Sequence, residues 1–282
     1  MNIGIVTLPT DLSAPITELA VAIEARGLAS LFIGGDHTHI PVARTTPFPG
    51  GGPLPDEYTR TLDPIVALTA SAVATRTIRL GTAVYLTAQR DPIDTAKKIA
   101  SLDYLSGGRI DFGIGYGWNL EEAGDHGVVW STRRALVRDH VLAMKELWVT
   151  EEAIYRGKHV SFDRAWMRPK PASKPHPRVL IGASPGPRTF ASVVEWADGW
   201  LPVPFWGHSP IHVERLRECA QDAGRDPSEL MIVVDGVCPD RSVLDSWQEV
   251  GAESVLIGLP SAALDVVLPL IDTAAALVEA YR

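Results

Sequence analysis

A parallel eight-stranded β/α barrel is the fold this chain predicts, and three observations predict it. Short β-branched runs alternate with longer amphipathic segments eight times from end to end. The 282 residues lie near the ~250 typical of such barrels. The turn after the first strand, Thr7-Leu8-Pro9-Thr10-Asp11, lacks the glycine fingerprint that an open dinucleotide-binding sheet places there. Closing the sheet also leaves no unpaired edge.

The elements follow in order. Residues 3–8 read as the first strand and 13–27 as its helix; 30–34 is the second strand and 64–74 its helix. Strand three covers 78–85, with helix 93–105. Strand four covers 109–114, and a helix follows through Leu136, Leu142 and Leu147. Strand five is 178–181 with its Val-Leu-Ile centre, then helix 188–196. Strand six is 198–203, followed by helix 210–223. Strand seven is 230–237, with helix 243–250, and strand eight is 254–257, with a final helix over 264–281. Two stretches interrupt the rhythm. Residues 41–63 carry Pro-Phe-Pro-Gly-Gly-Gly-Pro-Leu-Pro and form an extended loop after strand two. Residues 156–177, rich in Pro, Lys and His, form an insertion before strand five. Loops that follow barrel strands build the active site, so the first is a candidate lid or substrate wall. Neither reads as a linker, and the expectation is one domain over 1–282.

Composition narrows the function. Hydrophobic residues make up 46% and charged residues 21%, the balance of a globular chain. A net charge of −8 argues against general nucleic-acid binding. Cys219 and Cys238 form neither a metal-ligand spacing nor a disulfide framework, which suits a reducing compartment. The start Met1-Asn2-Ile3-Gly4-Ile5-Val6 is unlike a signal peptide, and no apolar run approaches the ~20 residues that span a bilayer. A cytoplasmic protein without membrane partners is expected.

In a barrel the chemistry sits just after the strands. Strand two runs into Gly34-Gly35-Asp36-His37-Thr38-His39, where two glycines allow a sharp turn and a carboxylate and an imidazole reach the mouth. A hydrogen-bonded loop anchor is the bland reading of that pair. His37-Thr38-His39 also has the spacing that opens a metal site in barrel hydrolases. Such a site needs ligands from other strand ends, and Gly115, Gly182-Ala183-Ser184 and Gly258-Leu259 supply none. Strand four leads into Gly113-Ile114-Gly115-Tyr116-Gly117-Trp118-Asn119, which exposes backbone to a large ligand and offers Trp118 as a wall; a packed rim needing small residues is the alternative. Gly182-Ala183-Ser184-Pro185-Gly186-Pro187 enters a helix with small residues and a hydroxyl, a combination suited to phosphate.

These motifs resemble the bacterial luciferase-like oxidoreductases. The resemblance is carried by Arg90-Asp91-Pro92, Leu102-Asp103, Leu105-Ser106-Gly107-Gly108-Arg109 and Gly113-x-Gly115-x-Gly117-Trp118. Asp63-Pro64, Leu80-Gly81-Thr82, Leu147-Trp148, Gly157-Lys158-His159, Pro169-Lys170-Pro171, Leu180-Ile181-Gly182 and Ala197-Asp198-Gly199-Trp200 fall in the same order. It spans nearly the whole chain. It implies a barrel that binds the deazaflavin coenzyme F420 or, alternatively, flavin mononucleotide (FMN). It places Asp36-His37 as the catalytic step, with His37 beside the reactive ring carbon and Asp36 orienting it. It also implies a non-proline cis peptide at Ala83-Val84, whose neighbouring amides would support the ring. The cofactor side chain and phosphate would lie along Gly115, Gly117, Trp118 and Asn119 and along Gly182, Ala183 and Ser184. Ala183 departs from the Gly-Gly frequent in the family. The expected activity is hydride transfer between the deazaflavin and a small-molecule substrate. An FMN monooxygenase would instead take reduced flavin from a partner reductase. Family members are often homodimers.

Overall fold

The computed structural model describes residues 1–281. Eight parallel strands close into a barrel: β1 (Asn2–Thr7), β2 (Ser30–Ile33), β3 (Arg79–Thr82), β4 (Ile110–Ile114), β7 (Arg178–Ile181), β8 (Gly199–Trp200), β9 (Met231–Val237) and β10 (Ser254–Leu259). The ring closes where β1 pairs β10 from Asn2↔Ser254 to Thr7↔Leu259, while β1 meets β2 on its other side. Helices α1 (Ile16–Ala25), α2 (Pro64–Ala74), α3 (Pro92–Ser106), α5 (Arg133–Val149), α6 (Pro187–Trp196), α7 (Ile211–Asp222), α8 (Arg241–Glu249) and α9 (Leu264–Ala275) surround it. None of them is long and apolar enough to cross a membrane.

The core has two layers, as the pleat of each strand requires. Val6, Phe32, Leu180, Leu201, Val233 and Leu256 fill the barrel interior. Their neighbours Ile5, Leu31, Ile33, Val179, Ile181, Val234 and Ile257 face outward onto the helices. Several motif residues turn out to be joinery. Asp63 and Asp91 cap α2 and α3, each with a proline in the first helical turn. In Leu105-Ser106-Gly107-Gly108-Arg109, Gly107 (φ 73°) ends α3 in the left-handed region. Arg109 then reaches across to the carbonyls of Ala72, Thr75 and Ile78 at the end of α2.

The structure departs from the expected elements in five places. Strand six shrinks to Gly199–Trp200, since Pro202 has no N–H to extend the ladder. Strand three stops at Thr82, and Tyr85 rejoins only as an isolated bridge to Ile114. The final helix ends at Ala275, with a separate tight turn at Val278–Tyr281. An antiparallel hairpin, β5 (Ala153–Arg156) and β6 (Ser161–Ala165), leads into and opens the insertion, and a short helix α4 (Leu120–Asp125) follows β4.

Candidate active site

The C-terminal ends of the strands open into a pocket of about 530 Å³. Asp36, His37, Ala83, Val84, Gly115, Gly117, Trp118, Gly182, Ala183 and Ser184 line it, so ten of the eleven expected site residues converge there. Asn119 stands apart. Its Oδ1 accepts the Glu122 amide (3.3 Å) and caps α4, because a buried Asn beginning a helix meets an unsatisfied amide first.

His37 is held from two sides. Its Nδ1 lies 2.7 Å from Glu122 Oε2, and Trp118 Nε1 donates to its Nε2 at 3.2 Å. Glu122 is wholly buried and its other oxygen accepts the Thr38 amide at 3.1 Å. The carboxylate can only accept, so Nδ1 carries the proton and Nε2 keeps its lone pair. Tyr58 packs on the imidazole with centroids 5.6 Å apart, and Phe48 packs on both Tyr58 and Trp118. The extended loop after β2 therefore does wall the pocket. Glu121 fastens it by accepting from the amide and hydroxyl of Thr45 and the hydroxyl of Thr46.

Asp36 does not orient His37, which corrects the sequence expectation. The chain turns tightly here, with Gly35 at φ 76° and the His37 amide donating back to Gly35 O at 2.8 Å, and the two side chains find different partners. Asp36 instead accepts the Leu86 amide at 2.7 Å and pairs with Arg90, whose guanidinium also faces Asp63. Burial pushes the Asp36 carboxyl above its ordinary value, against the pull of Arg90 and the Leu86 amide. Asp36 thus anchors the segment that follows Ala83–Val84. Glu122 is the carboxylate that sequence reading missed. Its signal was Asn119, a helix-capping residue, followed three positions later by an acid in the first turn.

The peptide bond Ala83–Val84 is cis, as expected. Two of the amides flanking it are already engaged within the barrel. Ala83 N–H donates to Ile33 O and Tyr85 N–H to Gly113 O. The rim glycines line the pocket and also meet the packing alternative, a rim that needs small residues. A Cβ on Gly115 would lie 2.3 Å from Val84 Cγ2, and one on Gly182 2.3 Å from Val84 Cγ1. Their amides already bond Tyr85 O and Ile114 O. These glycines make room for the Val84 side chain, which stands between β4 and β7 as part of the pocket wall.

At the far end of the pocket, Gly182-Ala183-Ser184 precedes α6, and Arg133 and Arg134 line the same wall. Arg133 Nε and Arg134 Nη1 are buried without a protein hydrogen-bond partner. Burial, then the neighbouring Arg134 cation, pushes the Arg133 guanidinium below its ordinary value. An anion there would relieve both effects, so the donor set fits the phosphate of a flavin-type cofactor. Two adjacent arginines opening a helix were the overlooked sequence signal. The metal reading finds only a rim cluster among the described residues. His39, Glu122 and His126 bring ligand atoms within 4.8 Å of one another, yet Glu122 is already committed to His37 and Thr38.

Comparison with known proteins agrees with this geometry. Residues 1–254 match the profile of the luciferase-like monooxygenases. An uncharacterised Mycobacterium tuberculosis protein is 40% identical over 268 residues, 94% of each chain. A Streptomyces bottropensis monooxygenase superposes over the whole of both chains with a TM-score of 0.83 at 21% identity. An F420-dependent secondary alcohol dehydrogenase, solved with an F420–acetone adduct, superposes over 100% of this chain and 99% of its own with a TM-score of 0.77 at 18% identity. At such identities the two structures speak to the fold. Pocket, barrel and sequence profile lead to one conclusion: the chain belongs to the luciferase-like monooxygenase family of oxidoreductases.

Proposed function

We propose that the protein is a coenzyme F420-dependent oxidoreductase acting on a small organic carbonyl or alcohol. The observation that carries this reading is His37, enclosed at the pocket mouth with its Nδ1 proton fixed by Glu122 and its Nε2 lone pair turned toward Trp118. When bound, the deazaflavin supplies hydride-transfer chemistry. The remaining task is a proton at the substrate oxygen. Nε2 takes it from an alcohol, or returns it to a carbonyl, once that oxygen displaces the Trp118 N–H. Glu122 keeps the imidazole in one tautomer and one orientation through this exchange. Ala83, Val84 and Trp118 would wall the ring, and Arg133, Arg134 and Ser184 would receive the phosphate. Phe48 and Tyr58 shield the same space from water.

A second reading is supported by the full-length likeness to the Streptomyces monooxygenase: an FMN enzyme supplied with reduced flavin by a partner reductase. One titration separates the two. Tryptophan fluorescence of the purified protein is followed against oxidised F420 and, separately, against FMN. Preferential F420 binding, together with anaerobic bleaching of its absorbance by alcohols, supports the proposal. Preferential FMN binding with oxygen consumption overturns it in favour of the monooxygenase.

A further inference from the structure

The interior face of the barrel mouth carries one carboxyl that the proposed proton exchange does not use. Stepping two residues on from the interior positions Val6, Phe32, Leu180, Leu201, Val233 and Leu256 gives Leu8, Gly34, Gly182, Val203, Asp235 and Gly258. Among these Asp235 alone is ionisable. Its direction is set by a bulge. Val234 pairs Val255 and Val237 pairs Ile257, both turned to the outer core, so Asp235 and Gly236 (φ 72°) share the inward step between them. Bulges of this kind re-aim a side chain near active sites. The Asp235 amide is tied to Pro202 O at 2.8 Å, yet no described residue donates a hydrogen bond to its carboxyl.

The neighbours of this carboxyl belong to the pocket. Tyr58, a pocket wall that packs on His37, has its hydroxyl pushed above the ordinary range by burial, by Glu57 and by the charge of Asp235. The turn at Pro204–Trp206, which packs against β9, places Phe205 and Trp206 on the pocket wall. Around the ring the strands run β2, β1, β10, β9, so Asp235 approaches the mouth three strands from His37.

Resting on the reading of this pocket as the substrate site, the geometry points to Asp235 as a second substrate-contacting acid, whose protonated carboxyl donates a hydrogen bond to a carbonyl or hydroxyl oxygen of the substrate. A partly buried carboxyl with no donor and no cation beside it favours the neutral form, and a neutral carboxyl is a donor. Burial alone pushes Asp235 up to about 7. The facing groups do not blur that titration. β10 presents none, Tyr58 titrates above the range, and burial with His212 beside it holds His208, on the loop after β8, down to about 4.

The test uses cyclohexanone, cyclohexylamine and cyclohexanecarboxylate as isosteric probes on the full-length protein, with and without F420. Binding is followed by tryptophan fluorescence between pH 5.5 and 8.5 in wild type, Asp235→Asn and Asp235→Leu. Wild type is expected to bind the ketone about tenfold more weakly at the alkaline end, the range a single hydrogen bond spans. Asp235→Asn, which keeps a donor but does not titrate, should bind it with a much smaller dependence on pH than wild type. Asp235→Leu should lose about tenfold at pH 5.5. Flat wild-type binding, unchanged affinity in Asp235→Leu, or Asp235-dependent preference for the ammonium probe overturns the assignment. Cofactor titrations of the same variants separate the two failures. A protein that binds F420 or FMN normally but ignores the ketone sinks the role of Asp235 alone, and one that binds neither cofactor nor ketone sinks the site as well.

Discussion

His37 and Glu122 lie 85 positions apart and meet at 2.7 Å, whereas Asp36, adjacent to His37, faces Arg90. At the scale of single residues, neighbourhood in sequence is thus a poor guide to which carboxylate serves an imidazole. What was legible was the residue type at a strand end: His37, Trp118 and the Gly182–Ser184 step all reach the pocket. What was not legible was the partner, because that depends on how α4 folds back over the loop after β2. The distinction is testable. Glu122→Ala leaves Nδ1 unpartnered, and kcat should fall about 10–100-fold while the cofactor dissociation constant stays near wild type. Asp36→Asn should instead weaken cofactor binding, since it loosens the Leu86 segment next to Ala83–Val84. Steady-state kinetics with F420, paired with fluorescence titration, reads both. Equal effects of the two variants on kcat would contradict the assignment. The glycines teach the same lesson about chemical roles. Gly115 and Gly182 line the pocket, and each also makes room for a Val84 methyl, as the packed-rim alternative requires.

Secondary elements were legible wherever burial imposes a period. All eight barrel strands and their helices follow from β-branched runs and amphipathic segments, and their ends follow from Pro, Gly and Asp. The β5–β6 hairpin escaped for a physical reason. Ser161–Ala165 has no buried face, so it has no alternation to detect. It is held instead by one carboxylate from another element. Asp139 of α5 accepts the Tyr155 hydroxyl at 2.7 Å and the amides of His159 and Val160. Gly157 leaves it room, since a Cβ there would sit 2.0 Å from Asp139 Oδ1. Burial pushes Asp139 up, but the Tyr155 hydroxyl and the two amides outweigh it and hold the carboxyl below its ordinary value. Its contribution is therefore present above the unfolded carboxylate range and is lost as pH falls through the depressed value. Asp139→Ala should speed hydrogen exchange at His159 and Val160 by about tenfold or more while β1 and β10 amides keep their protection. Acidification of the wild type should release the same amides first. Uniform loss of protection across the barrel would show that the hairpin is not an independent unit.

The barrel as a whole divides its labour between its two ends. At the mouth, groups are left unmatched: Asp235 lacks a donor, and Arg133 and Arg134 have buried nitrogens without partners. At the opposite end the charges of β3, β4 and β7 are matched to one another. Asp111 on β4 is almost fully buried and takes two hydrogen bonds from Arg79 of β3, at 2.7 and 2.6 Å. It takes two more from Arg178 of β7, at 2.6 and 2.8 Å. Arg178 continues to Glu253, next to β10. This bracket joins three consecutive strands of the ring, so it resists the one deformation a closed sheet must avoid, the parting of neighbouring strands. Removing the shared carboxylate leaves two partly exposed guanidiniums facing each other, and breaking a buried ion pair from one side costs about 3–5 kcal/mol. Because both arginines keep access to water, the cost for Asp111→Ala should fall toward the lower end of that range. Urea unfolding should therefore shift to a lower midpoint with an unchanged slope. Cofactor and ketone titrations of the folded variant should match wild type, because the pocket lies at the far ends of the same strands. A loss of pocket affinity without a loss of stability would mean that the bracket positions the mouth rather than holding the barrel closed.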